Sequence, residues 1–341
     1  NLHWRGDGEG NGELRAAANL KDAGLNLPPL GWRKPPGIPG HATVRVAVAD
    51  ETPREVHHVD LIAGGDGTPR LEISGGAALG AAAGRLERAR IDEIRLGKTR
   101  LRDVALKPDG GGWRIDVGGG QLDAAPYLAG AAARPDATAD ANGRGDADTG
   151  GTGMTGRAVT LTTRAPLTRV DFGKGRQLEQ VRLTVKRDAQ GRWRQIQFNA
   201  NVPPRFERGP DNGEAGARGT NIDVNYAPDS DGRQRLRARA ENAGATLRAL
   251  GILDSITGGQ LRLDGTRRST DPASPLAAQL DLRNFKLRDA PILAKILSVA
   301  FLTGIGDVLS GEGLSFQRLE GEIVLDGSKV RTDLLHAYGP A

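Results

Sequence analysis

Apolar and polar residues alternate with a period of two through most of this 341-residue chain. Leu276, Ala278, Leu280 and Leu282 alternate with polar or small neighbours, and the same pattern recurs at 44–48, 181–185 and 222–226. Successive side chains of a strand point to opposite faces, so each segment makes one face apolar and the other polar. Strands of this kind pair as antiparallel meanders, and the pattern therefore predicts a mostly β protein.

Short turns rich in Asp and Gly separate the alternating segments. They occur at 109–112, 188–191, 229–232 and 326–327, each beside an alternating run. Asp-Gly combinations are the usual chemistry of hairpin turns. Alternation and turns together predict about fifteen strands.

Three irregular stretches interrupt the strands. Residues 25–40 contain five prolines, 202–219 are rich in Pro, Gly and charge, and 129–156 are low in large apolar residues. We expect 129–156 to be a flexible loop or linker, because such a composition cannot fill a core. It divides the chain into segments 1–128 and 157–341; the alternative, which we favour slightly, is one continuous sheet with a long surface insertion. Neither end resembles a natural terminus, so we expect a segment of a longer protein.

Two helices are predicted. The first covers 242–253, and the second covers 289–309, with Asp289 as N-cap and Pro291 in its first turn. The second helix is unusually apolar, so we expect it to pack on the sheet as core, cap the open end of the sheet or lie at a membrane surface. The candidate capping or membrane-contact residues are Ile292, Leu293, Ile296, Leu297 and Phe301.

Composition favours a thin β architecture over a thick core. Hydrophobic residues make up 38% of the chain, aromatic residues only 4%, and there are 49 glycines. A codon bias towards Ala, Gly and Arg is the alternative explanation. The absence of cysteine excludes disulfides, Cys-ligated metals and thiol catalysis. The net charge of +5 is modest and does not predict a nucleic-acid partner.

No motif points to catalysis, a metal or a cofactor. There is neither a Gly-x-Ser-x-Gly motif nor a complete P-loop. His57 and His58 are adjacent in a predicted strand, so we expect them to point to opposite faces and not to share a metal. Asp264, Asp281 and Glu320 are explained by solvated turns or polar strand faces. We therefore predict a non-enzymatic protein without a cofactor.

The C-terminal third carries a family resemblance. The stretches 243–254, 258–265, 285–294 and 309–316 resemble, in order and spacing, the C-terminal region of AsmA-like proteins of the YhdP type. The resemblance implies repeating β-meander units that form an elongated, twisted, antiparallel β-groove with one or two short helices. It also implies a body in the periplasm of a Gram-negative bacterium, anchored to the inner membrane through a segment outside this chain.

Family members are associated with phospholipid transport towards the outer membrane and with cell-envelope integrity. Alternation alone fits a groove and a two-sheet sandwich equally well, and the resemblance favours the groove. We therefore expect a lipid-binding segment that shelters phospholipid acyl chains and contacts a membrane surface or envelope proteins. The candidate groove residues are Val181, Leu183, Val185, Ile196, Phe198, Ile222, Val224, Leu276, Leu280 and Leu282.

Two other functions remain open. The first is a scaffold or assembly factor for outer-membrane proteins that binds partner strands at its edge. The second is an enzyme acting on a polysaccharide, which requires convergent carboxylates on one face that the sequence does not show.

Overall fold

The computed structural model describes the chain except residues 8–9, 28–29, 66, 81–84, 127–156, 208–218, 268–273, 289–313, 327–328, 333 and 340–341. The described part is mostly β, as the alternation predicts, and contains one α-helix. Its contacts divide the chain into two compact units. The first comprises residues 1–173 and 186–191, and the second comprises 174–185 and 192–341.

The first unit contains a ten-stranded sheet and a separate two-stranded hairpin. Its strands are β1 (Leu2–Gly6), β2 (Gly12–Asn19), β3 (Leu25–Leu27), β4 (Trp32–Lys34), β5 (Gly40–Ala49), β6 (Thr52–Gly65), β7 (Thr68–Leu79), β8 (Leu86–Leu96), β9 (Thr99–Asp109), β10 (Gly112–Asp123), β11 (Val159–Thr163) and β12 (Leu167–Gly173).

The large sheet of this unit is an antiparallel meander from β1 and β2 through β5 to β10. β11 and β12 both pair with β10, but in parallel, which the meander expectation did not include. These two strands follow the low-complexity stretch 129–156, so the division between the compact units lies beyond that stretch.

The hairpin of β3 and β4 packs through two buried side chains. Trp32 is 3% exposed, and its indole N–H donates a 2.7 Å hydrogen bond to the main-chain oxygen of Pro69. Lys34 is fully buried, and its ammonium donates to the main-chain oxygens of Ala23 (2.7 Å), Pro35 (3.1 Å) and Lys21 (3.3 Å). The three oxygens replace water around the buried charge.

The second unit is a single antiparallel meander in the order of its strands from β14 to β19, with β20 and β21 both pairing with β19. Its elements are β14 (Trp193–Val202), a 3-10 turn (Pro204–Phe206), β15 (Thr220–Pro228), β16 (Gln234–Ala240), α1 (Ala243–Leu250), β17 (Ile256–Arg267), β18 (Leu276–Leu287), β19 (Leu314–Asp326), β20 (Lys329–Arg331) and β21 (Leu335–Tyr338). β13 (Arg176–Arg187) precedes them.

The helix α1 has a well-defined start and end. The side-chain oxygen of Asn242 accepts a 3.0 Å hydrogen bond from the amide of Ala245, which caps the N-terminus. At the other end Gly251 is left-handed (φ 69°), its amide donates to Arg248, and the amide of Ile252 donates to Leu247. This pair of bonds is a Schellman motif. The predicted helix at 242–253 is therefore present, and its last residues belong to the cap.

The second predicted helix, at 289–309, lies outside the described residues, together with its five candidate contact residues. It stays a prediction.

Candidate functional site

The strand register of the second unit collects its apolar side chains on one face. Phe198 is opposite Val224, Val224 opposite Ala238, Ala238 opposite Leu263, and Leu263 opposite Leu280. Residues directly opposite in neighbouring strands share a face, so one row crosses these strands. Gly321, opposite Leu280, extends the row to β19. We call this row the apolar strip; it consists of Phe198, Val224, Ala238, Leu263, Leu280 and Gly321.

All six residues of the apolar strip are half-buried. Fully buried residues lie on either side of the strip, in two separate clusters. Within this unit the described strands form one meander, and no second sheet of described strands stacks on the strip. The two-sheet sandwich that alternation allowed is therefore absent from the described part of this unit.

The first cluster lies beneath α1. Its buried members are Ala243, Ile256, Leu282, Phe285 and Leu287. The rings of Phe285 and Phe316 stack at 5.2 Å between centroids, across β18 and β19. The helix covers this end of the apolar face, so this part of the face is an ordinary core.

Close contact between α1 and β17 depends on small residues. The buried residues of the helix are Ala243, Gly244, Ala245, Thr246 and Ala249. A Cβ atom on Gly244 would lie 2.4 Å from the main-chain oxygen of Ile256. Glycine is thus required where the helix touches the strand.

The second cluster lies on the other side of the strip. It contains Tyr226, Leu276, Ala278 and Ile323. The guanidinium of Arg267 lies on the same face, since Arg267 is opposite Leu276, and its Nε donates a 3.0 Å hydrogen bond to the hydroxyl of Tyr226. A cation and a phenol therefore border the apolar face at this end.

Seven of the ten groove residues predicted from the sequence share this face. They are Ile196, Phe198, Ile222, Val224, Leu276, Leu280 and Leu282. On β13, Val181 is buried at 2% exposure, and Leu183 and Val185 are half-buried. Their role as lipid contacts stays a prediction.

Sequence reasoning missed part of the same face. Leu236, Leu261, Leu263 and Leu319 pack against the two clusters but were not among the predicted residues. The alternation of Leu261 and Leu263 with Arg262 and Asp264 is the signal that identifies them.

The first unit has an apolar face of the same kind. One row runs through Val44, Val59, Gly75, Ile91 and Val104, each opposite the next in neighbouring strands, and continues to Val117 of β10. Its larger aliphatic members on β5, β6 and β8 are half-buried. Both units therefore present one apolar and one charged face.

The charged face of the second unit is organised around Asp281. Arg283 of the same strand donates to its carboxylate at 2.7 to 3.1 Å, and Arg318 of β19 donates at 3.0 and 3.3 Å. The hydrogen bonds from Arg283 are the largest cause that lowers the pKa of Asp281; partial burial opposes them and Arg318 reinforces them. The result is a pKa of about 2, against an ordinary 3.8.

The expected opposite orientation of the two neighbouring histidines is wrong. His57 Nδ1 lies 3.9 Å from Glu55, and His58 Nε2 lies 2.5 Å from Asp60. Both carboxylates lie on the charged face, because Val56 and Val59 beside them occupy the apolar one. A β-bulge at 57–58 inserts an extra residue and turns both histidines to the same side.

Comparisons with known proteins identify no relative: no family model, curated protein or solved structure matches the chain significantly. Among the described residues, none of the helices has the length and apolar character of a membrane span. Nor do the described His, Asp and Glu side chains gather into a group of three or more that could hold a metal ion.

Proposed function

We propose that this chain is a lipid-binding segment that shelters phospholipid acyl chains along the apolar face of its sheets. The observation that carries the proposal is the apolar strip, a half-buried row that crosses six consecutive strands between two buried clusters. Within this unit no second sheet of described strands covers the row, although Leu263 and Leu280 touch the neighbouring buried cluster at its side. An acyl chain supplies the missing apolar contact at about 0.8 kcal/mol per buried CH₂ group.

The dimensions of the strip support an acyl ligand. Six strands spaced by about 4.8 Å span roughly 24 Å from the first to the last. One leaflet of the hydrocarbon core is about 15 Å deep, so a single lipid tail fits along the strip. The polar and charged residues of the opposite face, among them Asn199, Asp223, Arg239, Arg262 and Asp281, keep that face in water.

The resemblance to AsmA-like proteins extends this proposal to cellular context. We place the chain in the periplasm, attached to the inner membrane through a segment outside this sequence, with phospholipids moving between inner and outer membranes as its cargo. Membrane surfaces or envelope proteins are the further partners, and the segment 289–309 is the part proposed to contact them. We propose neither a catalytic activity nor a cofactor.

The test is native extraction of the chain followed by mass spectrometry of the bound lipids. Leu280→Asp places a charge in the middle of the strip, and we expect it to reduce bound phospholipid at least fivefold. Gln279→Lys is the control, because Gln279 is the neighbouring residue in the same strand and faces the charged side, where a cation lies opposite Asp264 and Glu322. We expect it to retain lipid at the wild-type level.

A third variant separates loss of binding from loss of folding. Ala238→Trp keeps the strip apolar but fills it, so lipid should fall while the circular dichroism spectrum stays that of the wild type. If the wild type is folded and carries no phospholipid, the lipid-binding proposal is wrong.

One observation favours the scaffold role as the second candidate. Among the described strands β1 pairs only with β2, and its Leu2 and Trp4 side chains are 70% and 51% exposed. An exposed apolar edge is a site where a partner strand can add to a sheet. A lipid-free, well-folded chain that binds unfolded outer-membrane protein in a pull-down, and loses it with Trp4→Lys, would move the assignment to this role.

A further inference from the structure

A line of β-bulges crosses the sheet of the first unit. The register shifts at His57–His58 on β6 and again at Asp92 on β8. Asp103 on β9, with φ at +52°, and Gly118 on β10 occupy the equivalent extra position in the two following strands. Bulges bend the strands that carry them, so irregularities aligned across neighbouring strands crease the sheet along one line.

Close packing along this line requires glycine. A Cβ atom on Gly118 would lie 2.5 Å from the Cβ of Asp103, and one on Gly76 would lie 2.6 Å from the main-chain oxygen of Val56. The sheet can therefore bend along this line because Gly118 and Gly76 have no side chains.

The crease borders a partly open cavity of about 890 Å³ on the charged face of the sheet. The floor of the cavity consists of small residues that lie on the charged face of the sheet, namely Gly76, Ala78, Ala105 and Gly118. The charged residues that line it are Glu55, His57, Arg88, Arg90, Asp92, Asp103, Lys107, Asp116 and Arg164. The volume lies in the range of small-molecule sites, about 300 to 1,000 Å³.

Cations lie side by side along one wall. Lys107 of β9 is directly opposite Arg114 of β10. Arg88 of β8 lines the same cavity, next to Ala89, which is opposite Leu106 of β9. Like charges directly opposite each other in a sheet destabilise it, and a bound anion removes that repulsion.

Most carboxylates in the cavity already have partners. Arg90 pairs with Asp103 at 3.2 Å and Asp92 at 3.6 Å, and Glu55 lies 3.9 Å from His57. Arg114 pairs with Asp109 at 2.6 Å.

The remaining cations are not neutralised. In the described part of the chain neither Arg88 nor Lys107 forms an ion pair, and Arg164 donates to the main-chain oxygen of Asp103 at 2.5 Å, not to a carboxylate. With histidine neutral, the lining as a whole is formally neutral, since four cations (Arg88, Arg90, Lys107 and Arg164) face four carboxylates (Glu55, Asp92, Asp103 and Asp116). The positive charge open to a ligand is therefore local, at the cations that have no carboxylate partner.

We propose that this cavity binds a phosphate-bearing ligand with two or more negative charges, held between Arg88 and Lys107. Arginine offers a planar pair of donors that matches phosphate oxygens, and lysine adds a point charge. Within the first unit, the charged side chains of the site lie on the face opposite the apolar row, so the site does not depend on acyl-chain binding. The phosphate can belong to a soluble ester or to a lipid headgroup.

The first probe is inorganic pyrophosphate, titrated into the wild-type chain by isothermal calorimetry at low salt. We expect saturable binding that weakens as salt is added, because ions screen the cations. The double variant Arg88→Gln/Lys107→Gln should bind at least tenfold more weakly. Its melting temperature should equal or exceed that of the wild type, because a like-charge contact is lost.

The matched control is Arg100→Gln/Arg102→Gln. It removes two exposed charges from the same face, on the strand that carries Lys107, but outside the cavity. Its affinity should stay within twofold of the wild-type value. Equal weakening in both double variants would mean diffuse attraction to a basic surface and would overturn the proposal.

The second probe separates the two sources of phosphate. Vesicles of phosphatidylcholine with and without phosphatidic acid are sedimented with the wild type and both double variants. Binding that needs phosphatidic acid, Arg88 and Lys107, without binding of pyrophosphate, supports the site with a lipid headgroup as ligand. If neither probe binds the wild type, the proposal of a phosphate site is wrong. The acyl-chain proposal is tested separately, by mass spectrometry of the bound lipids.

Discussion

Asp281 of β18 and Arg318 of β19 form a two-pronged ion pair across neighbouring strands, with donor–acceptor distances of 3.0 and 3.3 Å. Arg283 binds the same carboxylate from within its own strand. The side chain of Asp281 is only 20% exposed, so the pair is better shielded from water than most ion pairs of this sheet. It links two strands on the face opposite the apolar strip.

The depressed pKa of Asp281 predicts a pH-dependent contribution to stability. Its fall from 3.8 to about 2 corresponds to at most about 2.5 kcal/mol, and screening of the exposed arginines reduces this to about 1 kcal/mol. A carboxyl group whose pKa is lower in the folded state stabilises the fold above its unfolded pKa. The contribution should therefore be complete above about pH 5 and disappear between about pH 4 and pH 2.

The measurement is urea unfolding of wild type and Asp281→Asn from pH 7 to pH 2. The variant should be about 1 kcal/mol less stable at pH 7 and equal to the wild type near pH 2. Asp264→Asn is the control, since Asp264 makes only a 3.7 Å pair with Arg237 between half-exposed groups. A difference between wild type and Asp281→Asn that persists unchanged at pH 2 would exclude the ion pair as its cause.

Gly244→Ala should destabilise the second unit, although Gly-to-Ala changes within helices usually stabilise. The new methyl would lie 2.4 Å from the oxygen of Ile256, and such overpacking costs about 1–3 kcal/mol. Thermal unfolding measures the effect. Gly339→Ala is the control, because a Cβ atom added to Gly339 would have no heavy atom within 4 Å; a stable Gly244→Ala chain would mean that α1 can shift at little cost.

Alternation predicted the strand faces well because side-chain direction in a strand is a local property. Ile222 and Val224, or Leu280 and Leu282, fall on one face as soon as their segments are extended. Antiparallel pairing of consecutive strands then follows from the short turns, as at Asp229, which accepts the amide of Gly232. Predicting the mostly β class from sequence therefore needs little information beyond the identity of neighbouring residues.

Features that depend on distant residues were not predictable in this way. The bulge at His57–His58 is a mismatch of register with two neighbouring strands, and nothing local marks it. The parallel pairing of β11 with β10 spans a long intervening segment. Burial of Lys34 depends on three main-chain oxygens that the hairpin brings together.

Loss of the N-cap of α1 should loosen the helix that covers the first cluster. Asn242→Ala removes the 3.0 Å hydrogen bond to the amide of Ala245, at a cost of about 1 kcal/mol. Hydrogen exchange of the amides of 243–250 should become several-fold faster, and that of the β17–β18 pairs should change less. Asn242→Asp, which retains an acceptor, is the control and should exchange at the wild-type rate; similar acceleration in both variants would contradict a capping role.

Lys34→Met should destabilise the first unit even though it removes a buried charge. Methionine fills a similar volume, but the oxygens of Lys21, Ala23 and Pro35 lose their shared donor inside the protein. The oxygen of Lys21 keeps the amide of Gly37 as a donor at 2.8 Å, so the oxygens of Ala23 and Pro35 are the two left unsatisfied. Each such loss costs about 1–3 kcal/mol, which exceeds the gain from no longer desolvating an ammonium. We expect a net loss of about 2–3 kcal/mol in urea unfolding. Arg33→Met, at the exposed neighbouring position, should leave stability within about 0.5 kcal/mol. A Lys34→Met chain as stable as the wild type would mean that water satisfies these oxygens once the ammonium is gone.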